Sequence, residues 1–239
     1  MSQDHIVKSY DEELNVLDDT LARMGGLAES QIAGALQAIV KRDSELGQRI
    51  VAGDQKIDEL EHEIDAMGIR LLALRQPMAK DLRNIVAAVR IAGDLERVAD
   101  HAANIAKRAA PLSRVPELAP VGSVPRLSQM VQGMIKDVLD AYRTRDITKA
   151  RAVWRKDSEL DDMYMSLFRE LLTYMMEDPR NIGPCLHVVF IAKNIERIGD
   201  HATNIAEAIL YMVEGHLMTE ARPKGKQPDI EVTDETGRE

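Results

Sequence analysis

The sequence offers one thiol, Cys185, in 239 residues. A single cysteine excludes an intrachain disulfide and any zinc site built on cysteine pairs. It sits in the uncharged run 181–192, where a buried and inert thiol is expected. Aromatic residues are almost as scarce, at 3%. Sheets draw on aromatic and β-branched side chains. Their scarcity favours helices with a core of Leu, Ile, Val, Ala and the 12 Met. Basic charge is also short: Lys and Arg number 31 against 40 Asp and Glu, a formal net charge of -9. A field of that sign excludes nucleic acid as a partner recognised through overall charge, because phosphate backbones need a basic surface. No apolar run approaches the ~20 residues of a membrane span. The stretch from Met1 to Glu13 lacks the apolar segment of a signal peptide. A cytoplasmic location is expected, with peripheral attachment to a membrane complex left open.

What is present is helical spacing. Leu14, Leu17, Leu21 and Met24, then Ile32, Leu36, Ile39 and Val40, place one helix from Asp11 to Arg42. Asp43-Ser44 reads as a turn and N-cap. A second helix is expected to run from there to about Arg75, closed by Pro77, and a third from about Lys80 to Ala109. Pro111, Pro116, Pro120 and Pro125 then crowd into a linker, residues 111–125, in which no helix is expected. Three more helices follow: about Arg126 to Arg143, about Asp146 to Met176, and one reaching about Gly215. The units are thus 1–110 and 126–218. Residues 219–239 have almost no apolar side chains and read as a disordered tail whose removal should matter little.

The two units are copies. The segment Ile91 to Ala106 aligns with Ile191 to Ala206 at an offset of 100, with 10 identities in 16 positions; chance gives about one. A weaker match at an offset of 103 sets Leu36, Ala38, Arg42, Asp43, Asp54 and Asp58 on Leu139, Ala141, Arg145, Asp146, Asp157 and Asp161. The fold expected is all-α: two tandem, pseudo-symmetric three-helix bundles.

On a helix, Ile91, Leu95, Val98, Ala102 and Ile105 form an apolar seam. Glu96, Asp100 and Asn104 form a separate polar stripe, repeated as Glu196, Asp200 and Asn204. Carboxylates one turn apart repel unless a cation neutralises them. Arg97, Arg197 or a bound metal would serve, and carboxylate oxygens suit hard or borderline ions. A charged stripe is ordinarily a solvated face, or part of an interhelix ion-pair network. Its duplication off the packing seam raises the candidacy of Glu96, Asp100, Glu196 and Asp200 as metal ligands. His101 and His201 lie about 100° from the preceding carboxylate, which suits a supporting or capping role. The acidic runs Asp54 to Asp65 and Asp157 to Asp162 could add ligands across the bundle but read mainly as exposed. Glu59 and His62 supply one Glu-x-x-His pair; a di-iron bundle needs two. There is no phosphate loop and no nucleophile elbow.

These residues resemble the PhoU family of phosphate-specific transport accessory proteins. The likeness runs through His5 with Glu13-Leu14, Met24-Gly25, Asp54-x-x-Ile57-Asp58, and Gln76-Pro77 with Asp81-Leu82-Arg83. Its most specific part is Glu196-Arg197-Ile198-Gly199-Asp200-His201-Ala202-Thr203-Asn204-Ile205-Ala206-Glu207. The resemblance implies a non-enzymatic cytoplasmic repressor of the phosphate-starvation response. It would act between the ATPase of a phosphate ABC transporter and a phosphate-sensing histidine kinase, with a homodimer compatible. It also implies clusters of divalent or trivalent metal ions on Glu/Asp-x-x-x-Asp motifs, here Glu96 with Asp100 and Glu196 with Asp200. The first copy departs from the pattern, with Val98-Ala99 where Ile-Gly is usual. The alternative reading is a carboxylate metal-binding protein or metal-dependent enzyme on a helical bundle. A purely structural coiled-coil adaptor fits the duplicated polar residues poorly.

Overall fold

In the computed structural model the described residues are 3–115, 122–220 and 222, and among them there is no strand. The first repeat contains α1 (Gln3–Lys41), α2 (Ser44–Gly53), α3 (Gln55–Arg75) and α4 (Lys80–Ala106). A single turn, α5 (Ala109–Leu112), follows. The second repeat contains α6 (Val124–Thr144), α7 (Ile147–Glu177) and α8 (Ile182–Glu214). Thus α1 corresponds to α6, α2 with α3 to α7, and α4 to α8.

The weak repeat match has a local cause. Arg42 and Arg145 both adopt left-handed backbone, with φ of 55° and 56°. The next residues, Asp43 and Asp146, are extended N-caps. Asp43 accepts from the Leu46 N–H, and Asp146 from those of Thr148 and Lys149. Their own N–H groups bond back to the Ala38 and Ala141 carbonyls, at 2.9 and 3.0 Å. Each Ala-x-x-x-Arg-Asp segment therefore ends one helix and starts the next.

Two expectations need correction. The helix expected from Asp43 to Arg75 is divided at Asp54, where the Ile57 N–H takes the Asp54 carbonyl at 2.8 Å and tightens the turn. Its counterpart α7 is unbroken. The proline-rich linker does hold one helical turn, since Pro111 lies within α5. Pro125 likewise stands in the first turn of α6, and in both places the missing N–H has no partner to lose. The rest of the linker, residues 116–121, lies outside the described residues.

The core is continuous through both repeats. At its centre α4 packs against α8. Cross-contacts set their direction. The Arg83 guanidinium donates to the Met212 carbonyl, His201 faces Asp94, His101 faces Asn194, and Arg108 covers the Phe190 ring. Residue numbers rise along one helix as they fall along the other, so the pair is antiparallel about a pseudo-twofold axis. Ile91, Leu95, Val98, Ala102 and Ile105 are fully buried, as the seam predicted. The two histidine rings lie 5.5 Å apart beside the axis. His101 Nδ1 is 3.0 Å from Asn194 Oδ1. Asn194 gives its Nδ2 to the Phe190 carbonyl, so its oxygen faces the ring and His101 carries the Nδ1 proton. His201 Nδ1 is 2.8 Å from Asp94 Oδ1, which also accepts from Asn204. The histidines thus join the repeats to each other.

Candidate functional site

Each carboxylate stripe faces the helix that precedes it, so the stripes are only partly solvated. The side chains of Glu96 and Glu196 are 20% and 13% exposed, those of Asp100 and Asp200 42% and 40%. Burial raises the Glu96 carboxyl above its ordinary range, and Asp100, Glu61 and Asp58 push the same way against Arg97. Burial likewise raises Glu196, with Lys193 opposing. The acidic runs are accordingly not simply exposed. Asp54, Asp58 and Glu61 are half-buried at the start of α3, and Asp157 is 2% exposed on α7. The offset of 103 had paired Asp54 with Asp157; burial was the part that an acidic run could not reveal.

The two copies are neutralised differently. In the first, Arg97 lies 3.2 Å from Glu96 and 3.3 Å from Asp100, but its side chain is 61% exposed. Such a pair is worth about 1 kcal/mol or less. Asp54 Oδ1 is buried and has no hydrogen-bond partner. Its carboxyl is pushed up to about 6, first by burial, then by Asp100 and Asp58, with Lys107 opposing. In the second copy, Lys193 sits 2.7 Å from Glu196, at a position where the first copy has Gly93. Arg222 makes two parallel 2.8 Å bonds to Asp157 and a third, also 2.8 Å, to Asp200. The Thr203 hydroxyl lies 3.2 Å from Asp157, and the first copy has Ala103 there.

Arg222 is the residue beside these carboxylates that sequence reasoning missed. Scarcity of apolar side chains after Thr219 implied absence of an anchor; the anchor is ionic. One arginine among the several cations of a polar tail carries no signal in sequence. The remainder of that tail, 223–239, lies outside the described residues.

The donors suit a hard or borderline cation, for they are carboxylates, and a buried oxygen of the first copy is unpartnered. Asp54, Asp58, Glu96 and Asp100 would hold it, tying α3 to α4 by charge. Among the described residues no three His, Cys, Asp or Glu side chains already converge on one point, so these side chains must turn to chelate. His101 and His201 turn their Nδ1 atoms across the axis, to Asn194 and Asp94.

The pH response of the metal-free protein follows from Asp54. Its folded value, about 6, exceeds the ordinary 3.8. The folded state therefore holds the proton more tightly, and the stability this contributes below about pH 3.8 is lost as pH rises through about 6. Chelator-treated Asp54→Asn should gain stability relative to wild type across that window. Thermal unfolding at a series of pH values checks this, and a difference independent of pH would contradict it.

The chain matches the PhoU domain model twice, over residues 21–109 and 124–209. It belongs to the PhoU family. It is 54% identical over 222 residues to the phosphate-specific transport system accessory protein PhoU homolog of Caulobacter vibrioides (strain NA1000), covering 92% of this chain and 96% of that protein. Its identity with the homolog of Rhizobium meliloti is 47% over 239 residues, with 99% and 98% covered. The crystal structure of PhoU from Pseudomonas aeruginosa superposes with a TM-score of 0.84 at 39% identity, over 87% of this chain and all of that one. The phosphate transport system regulatory protein PhoU of Streptococcus pneumoniae gives 0.80 at 29%, over 87% and 99%. PhoU proteins are non-enzymatic accessory and regulatory proteins, so the metal-dependent enzyme falls away as an alternative. No helix among the described residues is long and apolar enough to cross a membrane.

Proposed function

We propose that this protein is a negative regulator of phosphate uptake and of phosphate-starvation signalling. It acts by docking between the ATPase of a phosphate ABC transporter and a phosphate-sensing histidine kinase, in the cytoplasm at the transporter's membrane face. The reading rests on near-full-length likeness to accessory proteins of phosphate-specific transport. The geometry suits a two-sided adaptor. The turns between α3 and α4 and between α7 and α8 lie at opposite ends of the antiparallel central pair. Each carries exposed apolar side chains, Leu74 and Met78 at 68% and 81%, Met176 and Ile182 at 85% and 43%. Exposed apolar clusters on rigid helical hairpins favour contact with other proteins. Divalent or trivalent metal ions held by Glu96 with Asp100, and by Glu196 with Asp200, would stiffen the bundles rather than turn over a substrate.

Deleting the gene should raise a phosphate-starvation reporter in phosphate-rich medium, and tagged protein should retain a transporter ATPase and a histidine kinase. A reporter that stays low, with neither partner retained, would end this reading.

A further inference from the structure

Metal binding at Glu96 with Asp100 and at Glu196 with Asp200, part of the proposed function, is the premise; with Asp54 and Asp58 the first pair lines one cradle, and with Asp157 the second pair lines another. The two cradles share their acidic residues but not their counter-charges. Around the second, Lys193 meets Glu196 and Arg222 meets both Asp157 and Asp200. The Arg222 side chain is 23% exposed and that of Asp157 only 3%, so this is a desolvated fork-to-fork contact. It links the chain after α8 to both α7 and α8, where a cation bridging the carboxylates would also sit. Around the first cradle the only close guanidinium among the described residues is that of exposed Arg97. Asp54 Oδ1 is buried there with no hydrogen bond; in the second cradle Glu196 Oε2 also lacks one but has the Lys193 ammonium beside it.

We propose that Arg222 is a tethered cation that plugs the second cradle: a metal ion enters the first cradle directly, but enters the second only by displacing Arg222 from Asp157 and Asp200. Loading of the second repeat and detachment of the segment after α8 are then one event. The physical basis is competition for the same oxygens. A guanidinium satisfies two carboxylates by five fixed N–H donors, whereas a metal ion takes those oxygens into its coordination shell. Tethering makes the competitor intramolecular, so its local concentration is high at every dilution. If Arg222 occupies the cradle about nine-tenths of the time, the apparent metal affinity there falls about tenfold.

The test uses full-length protein freed of metal and titrated with Mn²⁺ alone. Binding is followed by calorimetry and by the electron paramagnetic resonance of free Mn²⁺. A fluorophore on Glu220→Cys, in a Cys185→Ala background, reports the segment through its anisotropy. Wild type should show a tighter and a weaker step, with anisotropy falling only in the weaker one. Asp100→Asn should remove the first step and Asp200→Asn the second. Arg222→Ala should strengthen the second step about tenfold or more, leave the first unchanged, and give low anisotropy from the start. Arg222→Lys, which keeps the charge and loses the fork, should fall between them and serves if Arg222→Ala unfolds. If Mn²⁺ binds in two steps that neither Arg222 variant alters, or anisotropy stays high throughout, the plug is wrong and metal binding stands. If Mn²⁺ binds in no step to any variant, metal binding itself fails, and the plug with it.

Discussion

Ile195→Ala should destabilise the protein by about 2–5 kcal/mol, the cost of removing a large aliphatic side chain from a filled core. Ile195 is fully buried on α8, between Asn194, which meets His101 across the axis, and Glu196 of the second cradle. Alanine is the best helix former, so α8 itself is not weakened. The loss comes from transfer of three carbons and from the void they leave. A loss of this size is a large part of the 5–15 kcal/mol available to a typical domain. Denaturant unfolding should show a lower midpoint with an unchanged slope. Ile69→Ala is the control: Ile69 is 69% exposed, and the change should stay within about 0.5 kcal/mol. Equal effects at the two positions would mean that the central helix pair is not packed as described.

Gly199→Ala is the second large effect, and it addresses a difference between the two copies of the motif, Gly199 in one and Ala99 in the other. A methyl at Gly199 would stand 2.2 Å from Leu160 Cδ2, with Met134 Cε at 3.8 Å. Leu160 is fully buried, so its side chain must move within a filled core. Overpacking of this kind costs about 1–3 kcal/mol. The helix preference of alanine over glycine returns up to about 1 kcal/mol, so a net loss is expected. In the first repeat Ala99 is buried without difficulty, and the residue equivalent to Leu160 is Ile57. The expected signature is a favourable coupling: Leu160→Ala and Gly199→Ala together should cost less than the sum of the two single changes. Additive costs, or a stabilising Gly199→Ala, would show that the close approach of α7 to α8 at Gly199 is absent.

Much of the fold was legible because helices announce themselves locally. The spacing of Ile91, Leu95, Val98, Ala102 and Ile105 identified a buried seam before any contact was known, and all five are buried. The repeated Arg-Asp pairs were visible as identities. Their role as left-handed terminus and N-cap is also local, since it is settled by the backbone of two adjacent residues.

The sequence by itself determined which residues are apolar at helical spacing, that the unit is duplicated, and that each copy carries a Glu-x-x-x-Asp pair. Tertiary structure alone decided what surrounds those pairs. It buried Asp157 and left Asp54 Oδ1 unpartnered, turned His101 and His201 across the pseudo-twofold axis, and brought Arg222 back onto Asp157, 65 residues away. The reason is physical. Periodicity reports which face of a helix avoids water, but the fate of a charge depends on its dielectric surroundings and on its nearest opposite charge. Both are set by chain segments distant in sequence, so two stripes of the same residues differ in their counter-charge: a part-buried arginine from beyond α8 at one, the exposed Arg97 at the other.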